Sequence, residues 1–235
     1  MPSVRRMSLT AAAAAALLLT ALAGEPAHAD PPPATGCADI EVIAVRGTNE
    51  SSPTGVLGRL ADAVTARTSK TVATYGLPYP ATSDWVNSVN AGKSLLTQRL
   101  TTQAAACPNQ RFVLLGYSQG AWVVGDSLAG GGGGFPPPVS AALGTRVAAV
   151  VLYGDPRYRS GEPFDAGTAG AAGTTINGII PRDRGALATY ASRIRSYCEI
   201  DDPFCQYGGP GGSGHFAYTG KYTNDAAAFV VGRLG

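Results

Sequence analysis

The sequence predicts an α/β fold, a mostly parallel sheet sandwiched between helices on both faces. Three observations carry that expectation. Strand-like segments alternate with helix-like ones, the strands are continuously apolar rather than alternately so, and one strand runs through Gly116-Tyr117-Ser118-Gln119-Gly120 directly into a helix. A strand covered on both faces has no polar side, so its apolar run is unbroken. With 235 residues and 45% hydrophobic side chains, the chain can build a full globular core in one domain.

Taken in order, Arg5 and Arg6 are followed by an uncharged stretch from Leu9 to Ala23 and then by Ala27-His28-Ala29. That is the order of a signal peptide, so residues 1–29 are expected to be a leader cleaved after Ala29 and the protein to be secreted to the extracellular side. Met7-Ser8-Leu9 fits a twin-arginine signal only loosely, which leaves an ordinary leader. The apolar stretch is shorter than the roughly 20 residues a spanning helix needs, and no later run approaches that length. Residues 30–36, with Pro31-Pro32-Pro33, form a stiff linker, and residues 37–235 form the single domain. Losing Arg5, Arg6 and Glu25 with the leader moves the formal charge from +2 to +1, which argues against a nucleic-acid partner. It also removes His28. Any imidazole chemistry then passes through His215.

Ile40 to Val45 reads as the first buried strand. Leu57, Leu60, Ala61 and Val64 then recur at helical spacing, predicting an amphipathic helix over Gly55 to Arg67. A short strand at Thr71 to Tyr75 follows. Val89, Leu96, Leu100 and Ala104 mark a longer helix from Ser83 or Asp84, ending before Pro108. Arg111 to Leu115 is the strand that enters the glycine-serine motif, and Ala121 to Asp126 begins its helix. Gly130 to Pro138 is a glycine- and proline-rich loop. Arg146 to Tyr153 is the next buried strand, Thr175 to Ile180 a short further one, and a terminal helix runs from about Asn224 to Gly232.

The four cysteines of an exported chain read as two disulfides with three possible connectivities. Cys37 and Cys107 each lie just before a predicted strand, at the same edge if those strands are parallel neighbours, while Cys198 and Cys205 bracket a short acidic loop. The pairing is therefore Cys37 with Cys107 and Cys198 with Cys205. The spacings do not fit structural zinc, and neither metal nor cofactor is expected.

A serine hydroxyl needs a base to become a nucleophile, and a catalytic imidazole is oriented by a carboxylate. The glycines flanking Ser118 let the chain turn sharply there and let strand and helix pack closely. Downstream lie the acids Glu199, Asp201 and Asp202 and then His215, giving the order serine, acid, histidine. A lone histidine is often only a satisfied side chain; this one follows a glycine run at the right place in that order. Asp155, which precedes Pro156, reads as a turn carboxylate. Gly92-Lys93-Ser94 lacks the glycine that would complete a phosphate loop, since position 87 is Asn. Gly209 to Gly214 matches G-x-G-x-x-G without the strand and helix that motif requires.

Gly116-Tyr-Ser-Gln-Gly-Ala121, Ala44-Val-Arg-Gly-Thr48, the Cys198-x-x-x-Asp202-x-x-Cys205 loop and His215-Phe-Ala-Tyr218 together resemble the cutinase family of secreted serine esterases. The resemblance covers essentially the whole chain after the leader. It implies an α/β-hydrolase-type sheet of five parallel strands without a lid, and both disulfides as paired above. It also implies Ser118 as nucleophile, Asp202 as acid, His215 as base, and an oxyanion hole from Gln119 N–H with the N–H and hydroxyl of Thr48. Pro203 and Phe204 depart from the small or branched residues more usual there, and the Gly130 to Pro138 loop is unusually rich in glycine and proline. The function implied is hydrolysis of carboxylic esters, cutin-like polyesters and short- to medium-chain acyl esters, by a monomer. The alternatives are a lipase, phospholipase, thioesterase or peptidase on the same scaffold, and a non-catalytic lipid- or polymer-binding module.

Overall fold

A computed structural model describes residues 36–129 and 139–235. The expected leader, the linker before Gly36 and the Gly130 to Pro138 loop lie outside them. In chain order the elements are β1 (Ile40–Val45), a 3-10 turn (Gly55–Leu57) opening α1 (Gly58–Thr65), β2 (Val72–Gly76), α2 (Trp85–Ala106), β3 (Arg111–Tyr117), α3 (Gln119–Ala129), α4 (Ala141–Thr145), β4 (Val147–Tyr153), β5 (Asp165–Ala166), α5 (Gly167–Ala172), β6 (Ile194–Tyr197) and α6 (Tyr218–Val231). The strands pair in the order β2-β1-β3-β4-β6-β5. Every pairing is parallel.

The unbroken apolar strands are buried on both sides, as their composition requires. On one face Ile43, Val45, Leu114 and Leu152 pack with Leu96 and Leu100 of α2 and Val123 and Val124 of α3. On the other, Val42, Ala44, Val113 and Val151 pack with Leu60 and Val64 of α1 and Ala227 and Val230 of α6. Full burial of such a side chain is worth about 1.5–3 kcal/mol. Glu41 is the exception inside β1: Arg99 of α2 ion-pairs with it and stacks over the Tyr75 ring at 3.9 Å. Burial pushes the Glu41 carboxyl up, and the Arg99 hydrogen bond opposes that shift.

The sheet is parallel throughout and has six strands, one more than the resemblance implied; Thr175 to Ile180, expected as a strand, is not one of them. Its N–H groups go to neighbouring loops, Gly178 N to Tyr158 O at 2.9 Å, Ile179 N to Phe204 O at 3.1 Å and Ile180 N to Pro156 O at 3.1 Å. The segment therefore ties two turns together and joins no ladder. The strand beyond β4 is instead β6, which pairs with Val150–Tyr153. The terminal helix begins at Tyr218, ahead of Asn224.

Both disulfides pair as the order of the cysteines suggested. Cys37–Cys107 spans 70 residues and ties the segments entering β1 and β3, while Cys198–Cys205 spans 7 and closes the acidic loop. In the chain-entropy account such closures contribute about 4 and about 2–3 kcal/mol. Among the described residues, no helix is long and apolar enough to cross a membrane. As parallel neighbours, β1, β3 and β4 end at the same edge of the sheet, and in an open parallel sheet a ligand crevice forms outside the C-terminal ends of the strands.

Candidate active site

Ser118 is the single residue between β3 and α3, and its φ of 53° lies in the left-handed region. For a residue with a side chain that conformation costs about 1–3 kcal/mol and persists only where the surroundings enforce it. Here Ser118 N donates to Tyr153 O of β4 at 2.8 Å, and Ser118 O accepts from Ala121 N and Trp122 N at 2.9 and 3.1 Å. The flanking glycines permit the turn. A methyl group on Gly120 would sit 1.8 Å from the Val45 carbonyl oxygen, and one on Gly116 would sit 2.7 Å from the Ala121 Cα. Any side chain there would drive α3 off the sheet and carry Ser118 with it.

His215 lies in a one-turn 3-10 helix, Gly214–Phe216, and is 5% exposed. Its Nε2 is 2.9 Å from Ser118 Oγ and its Nδ1 is 2.8 Å from Asp202 Oδ2. A carboxylate at Nδ1 selects the tautomer with its proton there, leaving Nε2 to accept from the serine hydroxyl. Tyr117 OH donates to the His215 carbonyl at 2.9 Å, and the Phe204 ring stands 4.3 Å from the imidazole. The backbone and the ring are thus both held.

Asp202 is fully buried, and a carboxylate so placed needs its lone pairs satisfied. Oδ2 accepts from His215 and from Tyr218 OH, and Oδ1 accepts from Phe204 N at 2.8 Å. The Tyr218 phenol also accepts from Glu199 N at 3.1 Å, and its ring stacks on Tyr153 at 5.4 Å. Burial, followed by the charge of Asp202, holds that phenol well above its ordinary pKa, so it stays a donor. The other acids go elsewhere. Glu199 binds Lys221 and Tyr222, whose hydrogen bonds outweigh burial and hold its carboxyl below the usual range. Asp201 packs against Gly212 and Gly214, and Asp155 pairs with Arg182. Of the two departures near the acid, Pro203 is exposed and Phe204 packs on the imidazole.

Thr48 and Gln119 share the cleft with Ser118. The Gln119 carboxamide accepts from Ser88 Oγ at 2.8 Å and donates to Thr82 O at 2.8 Å and Thr48 Oγ1 at 3.3 Å. It fixes the loop after β1 against the start of α3, where the first helical N–H groups lack partners within the helix. The same loop is clamped by Glu50, which accepts from Gly47 N at 2.6 Å, and by Arg46, which donates to the carbonyls of Glu50, Leu77 and Tyr79.

These groups open into a cleft of about 530 Å³. Val56, Trp85, Trp122, Ile179, Ile180 and Phe216 line it, and Trp85 and Phe216 are 48% and 80% exposed. Apolar side chains left in water around Ser118 suit a ligand with an apolar portion. Gly92-Lys93-Ser94 lies within α2, where Gly92 lets Val123 of α3 approach, and has no part in the cleft. Gly209 to Gly214 lies in the turns ahead of His215. Tyr117, Trp122 and Tyr218 were not singled out as site residues from the sequence. The available signal was an aromatic residue immediately before Ser118 and another three after His215.

The cutinase family model matches residues 36–234. Among curated relatives, phospholipase Culp4 of Mycobacterium tuberculosis is 34% identical over 98% of this chain and 92% of its own. Carboxylesterase Culp1 of the same organism is 32% identical over 98% of this chain and 95% of its own. Among solved structures, the catalytic core domain of acetyl xylan esterase from Trichoderma reesei aligns with a TM-score of 0.75 at 29% identity, covering 84% of this chain and all of that domain, 100%.

Proposed function

The chain belongs to the cutinase family, and from that premise we propose that it is a secreted carboxylic ester hydrolase working through an acyl-enzyme on Ser118. Ser118 Oγ attacks the ester carbonyl as His215 Nε2 takes its proton, while Asp202 holds the imidazole and balances the charge it gains. Gln119 N–H, with the N–H and hydroxyl of Thr48, meets the negative charge developing on the carbonyl oxygen. His215 then gives its proton to the leaving alcohol. Water, deprotonated by the same imidazole, attacks the acyl carbon, and the acid leaves as Ser118 regains its proton.

The observation that carries this reading is the run from Ser118 Oγ through His215 to Asp202, with contacts of 2.9 and 2.8 Å, in an apolar cleft. A non-catalytic binding module would have no use for that alignment or for the left-handed Ser118. The leader-like order of residues 1–29 in the sequence and the two disulfides support export. The exposed rim supports esters with apolar chains, short to medium acyl esters and cutin-like polyesters, taken up by a monomer. A second reading, a phospholipase or lipase, is favoured by the name of the Culp4 relative and by Phe216 at the rim.

The test is a side-by-side assay on a p-nitrophenyl acyl series, a long-chain triglyceride, a phospholipid, a solid polyester and a peptide. Preference for short to medium chains with release of acid from the solid supports the proposal. A jump in rate once triglyceride or phospholipid aggregates would move the assignment to the second reading. Activity confined to the peptide would overturn the ester reading.

A further inference from the structure

Behind the apolar wall of the cleft lies an ionic cluster that the ester chemistry does not use. Arg182 is 5% exposed, and its five N–H groups face five acceptors. Nε donates to Asp126 Oδ1 at 2.8 Å; Nη1 donates to Asp155 and to Arg157 O at 3.4 Å; Nη2 donates to the carbonyls of Ala121 and Trp122 at 3.4 and 3.3 Å. Asp126 and Asp155 are themselves buried. On its other oxygen Asp126 accepts from Arg157 at 2.8 Å and from the Trp122 indole at 2.9 Å.

The guanidinium fits because α3 has a glycine where it lies. A methyl group on Gly125 would come within 2.1 Å of Arg182 Nη2 and 2.4 Å of its Cζ. Glycine inside a helix lowers helix stability, and buried ion pairs recover little of their desolvation cost, so an apolar cluster of the same volume would serve stability as well. Geometry is what this cluster supplies. Trp122, Pro156, Ile179 and Ile180 line the cleft from three separate segments, and the cluster fastens all three. Trp122 is bonded at its indole and its carbonyl. Pro156 follows Asp155 in the chain and accepts from Ile180 N at 3.1 Å, and Arg182 N is bonded to Arg157 O at 3.1 Å. Ile179 N then carries the wall to Phe204 O, beside His215.

We propose that Arg182 is a positioning residue that fixes this wall, and thereby sets which substrate chain lengths the cleft accepts. The inference rests on the ester-hydrolase reading above. It predicts a loss that is selective among substrates, because the side chains of Ser118, His215 and Asp202 hydrogen-bond to one another, to Phe204 N and to Tyr218 rather than to the cluster's charged groups.

The test compares the wild-type chain with Arg182→Lys, which keeps the charge but not the fork, and with the triple variant Arg182→Met, Asp126→Asn, Asp155→Asn, which leaves no buried charge of the trio unpaired. Each is assayed on p-nitrophenyl esters from acetate to decanoate and on alkyl butyrates from methyl to octyl. In at least one series the kcat/KM ratio of longest to shortest chain should change by about tenfold or more, carried by KM, while kcat on the shortest ester stays within about threefold. Should the triple variant fail to fold, Arg182→Lys reads the same ratio. Ratios unchanged in both series, with activity merely following the loss in Tm, would overturn the inference. Inactivity of the wild-type chain on every ester would overturn the ester reading, and this inference with it.

Discussion

Replacing Asp202 by Asn changes one oxygen to an amino group inside a site where every neighbour is a donor. Oδ2 faces His215 Nδ1 at 2.8 Å and Tyr218 OH, and Oδ1 faces Phe204 N at 2.8 Å. The carboxamide can keep its oxygen toward His215 only by turning its NH2 against the Phe204 N–H. In the other orientation the NH2 faces the imidazole and favours the tautomer protonated on Nε2, which cannot take the Ser118 proton. Either orientation leaves a buried donor unpaired, which costs about 1–3 kcal/mol of stability. In a serine hydrolase the wrong tautomer costs about four orders of magnitude in kcat, roughly 5 kcal/mol of barrier. Asp201 is the control, since the acid next in sequence does not reach His215, and Asp201→Asn should cost less than about threefold. The assay is kcat on p-nitrophenyl butyrate, normalised to active sites titrated with a phosphonate. An Asp202→Asn enzyme retaining more than about a tenth of wild-type kcat, or an Asp201→Asn enzyme that loses more than Asp202→Asn, would refute the assignment.

Tyr218→Phe removes the hydroxyl between Asp202 and Glu199 N while its ring can stay stacked on Tyr153; a hydrogen bond to a charged group is worth about 1.5–3 kcal/mol, so Tm should fall by about 3–12 °C. Its kcat should fall less than about tenfold, since His215 and Phe204 N still hold Asp202; a loss matching that of Asp202→Asn would place Tyr218 in the chemistry itself. Replacing both Cys198 and Cys205 by Ala frees the loop that carries Asp202, so kcat should drop with KM little changed well below the unfolding temperature, and an unchanged kcat would show that the disulfide does not position the acid. Burial pushes the Asp165 carboxyl up to about 6, against the N–H groups of Gly161 and Glu162 that favour its anion. The folded chain therefore binds this proton more tightly than the unfolded one, and the stabilisation is present below about pH 4 and lost as pH rises through about 6. Asp165→Asn should flatten Tm against pH over that window, and an unaltered profile would contradict the shift.

What the sequence made legible was whatever rests on local order. The strand running into Gly116-Tyr117-Ser118-Gln119-Gly120 was readable because its apolar run and its turn residues are contiguous, and the cysteine pairing because each cysteine precedes a recognisable strand or brackets one short loop. The strands beyond β4 were not. β6 has four residues, with half-exposed Arg195 among them, and β5 has two, so neither offers a periodic signal. Thr175 to Ile180 has strand-like residues but spends its N–H groups on two turns. Arg182 meets Asp126 across 56 positions. Its only local trace is Gly125-Asp126, which follows the apolar run Ala121-Trp122-Val123-Val124 in α3, where a glycine and a buried carboxylate are both unfavourable unless something fills the space they make.

The central claim is that Ser118 is the nucleophile. An alkyl p-nitrophenyl phosphonate should release one equivalent of nitrophenol per folded chain, and peptide mass mapping should place the single phosphonyl group on Ser118. Ser118→Ala should keep the wild-type fold by circular dichroism, take up no label and show no ester turnover. Stoichiometric label on any other residue, or esterase activity surviving in Ser118→Ala, would contradict the account.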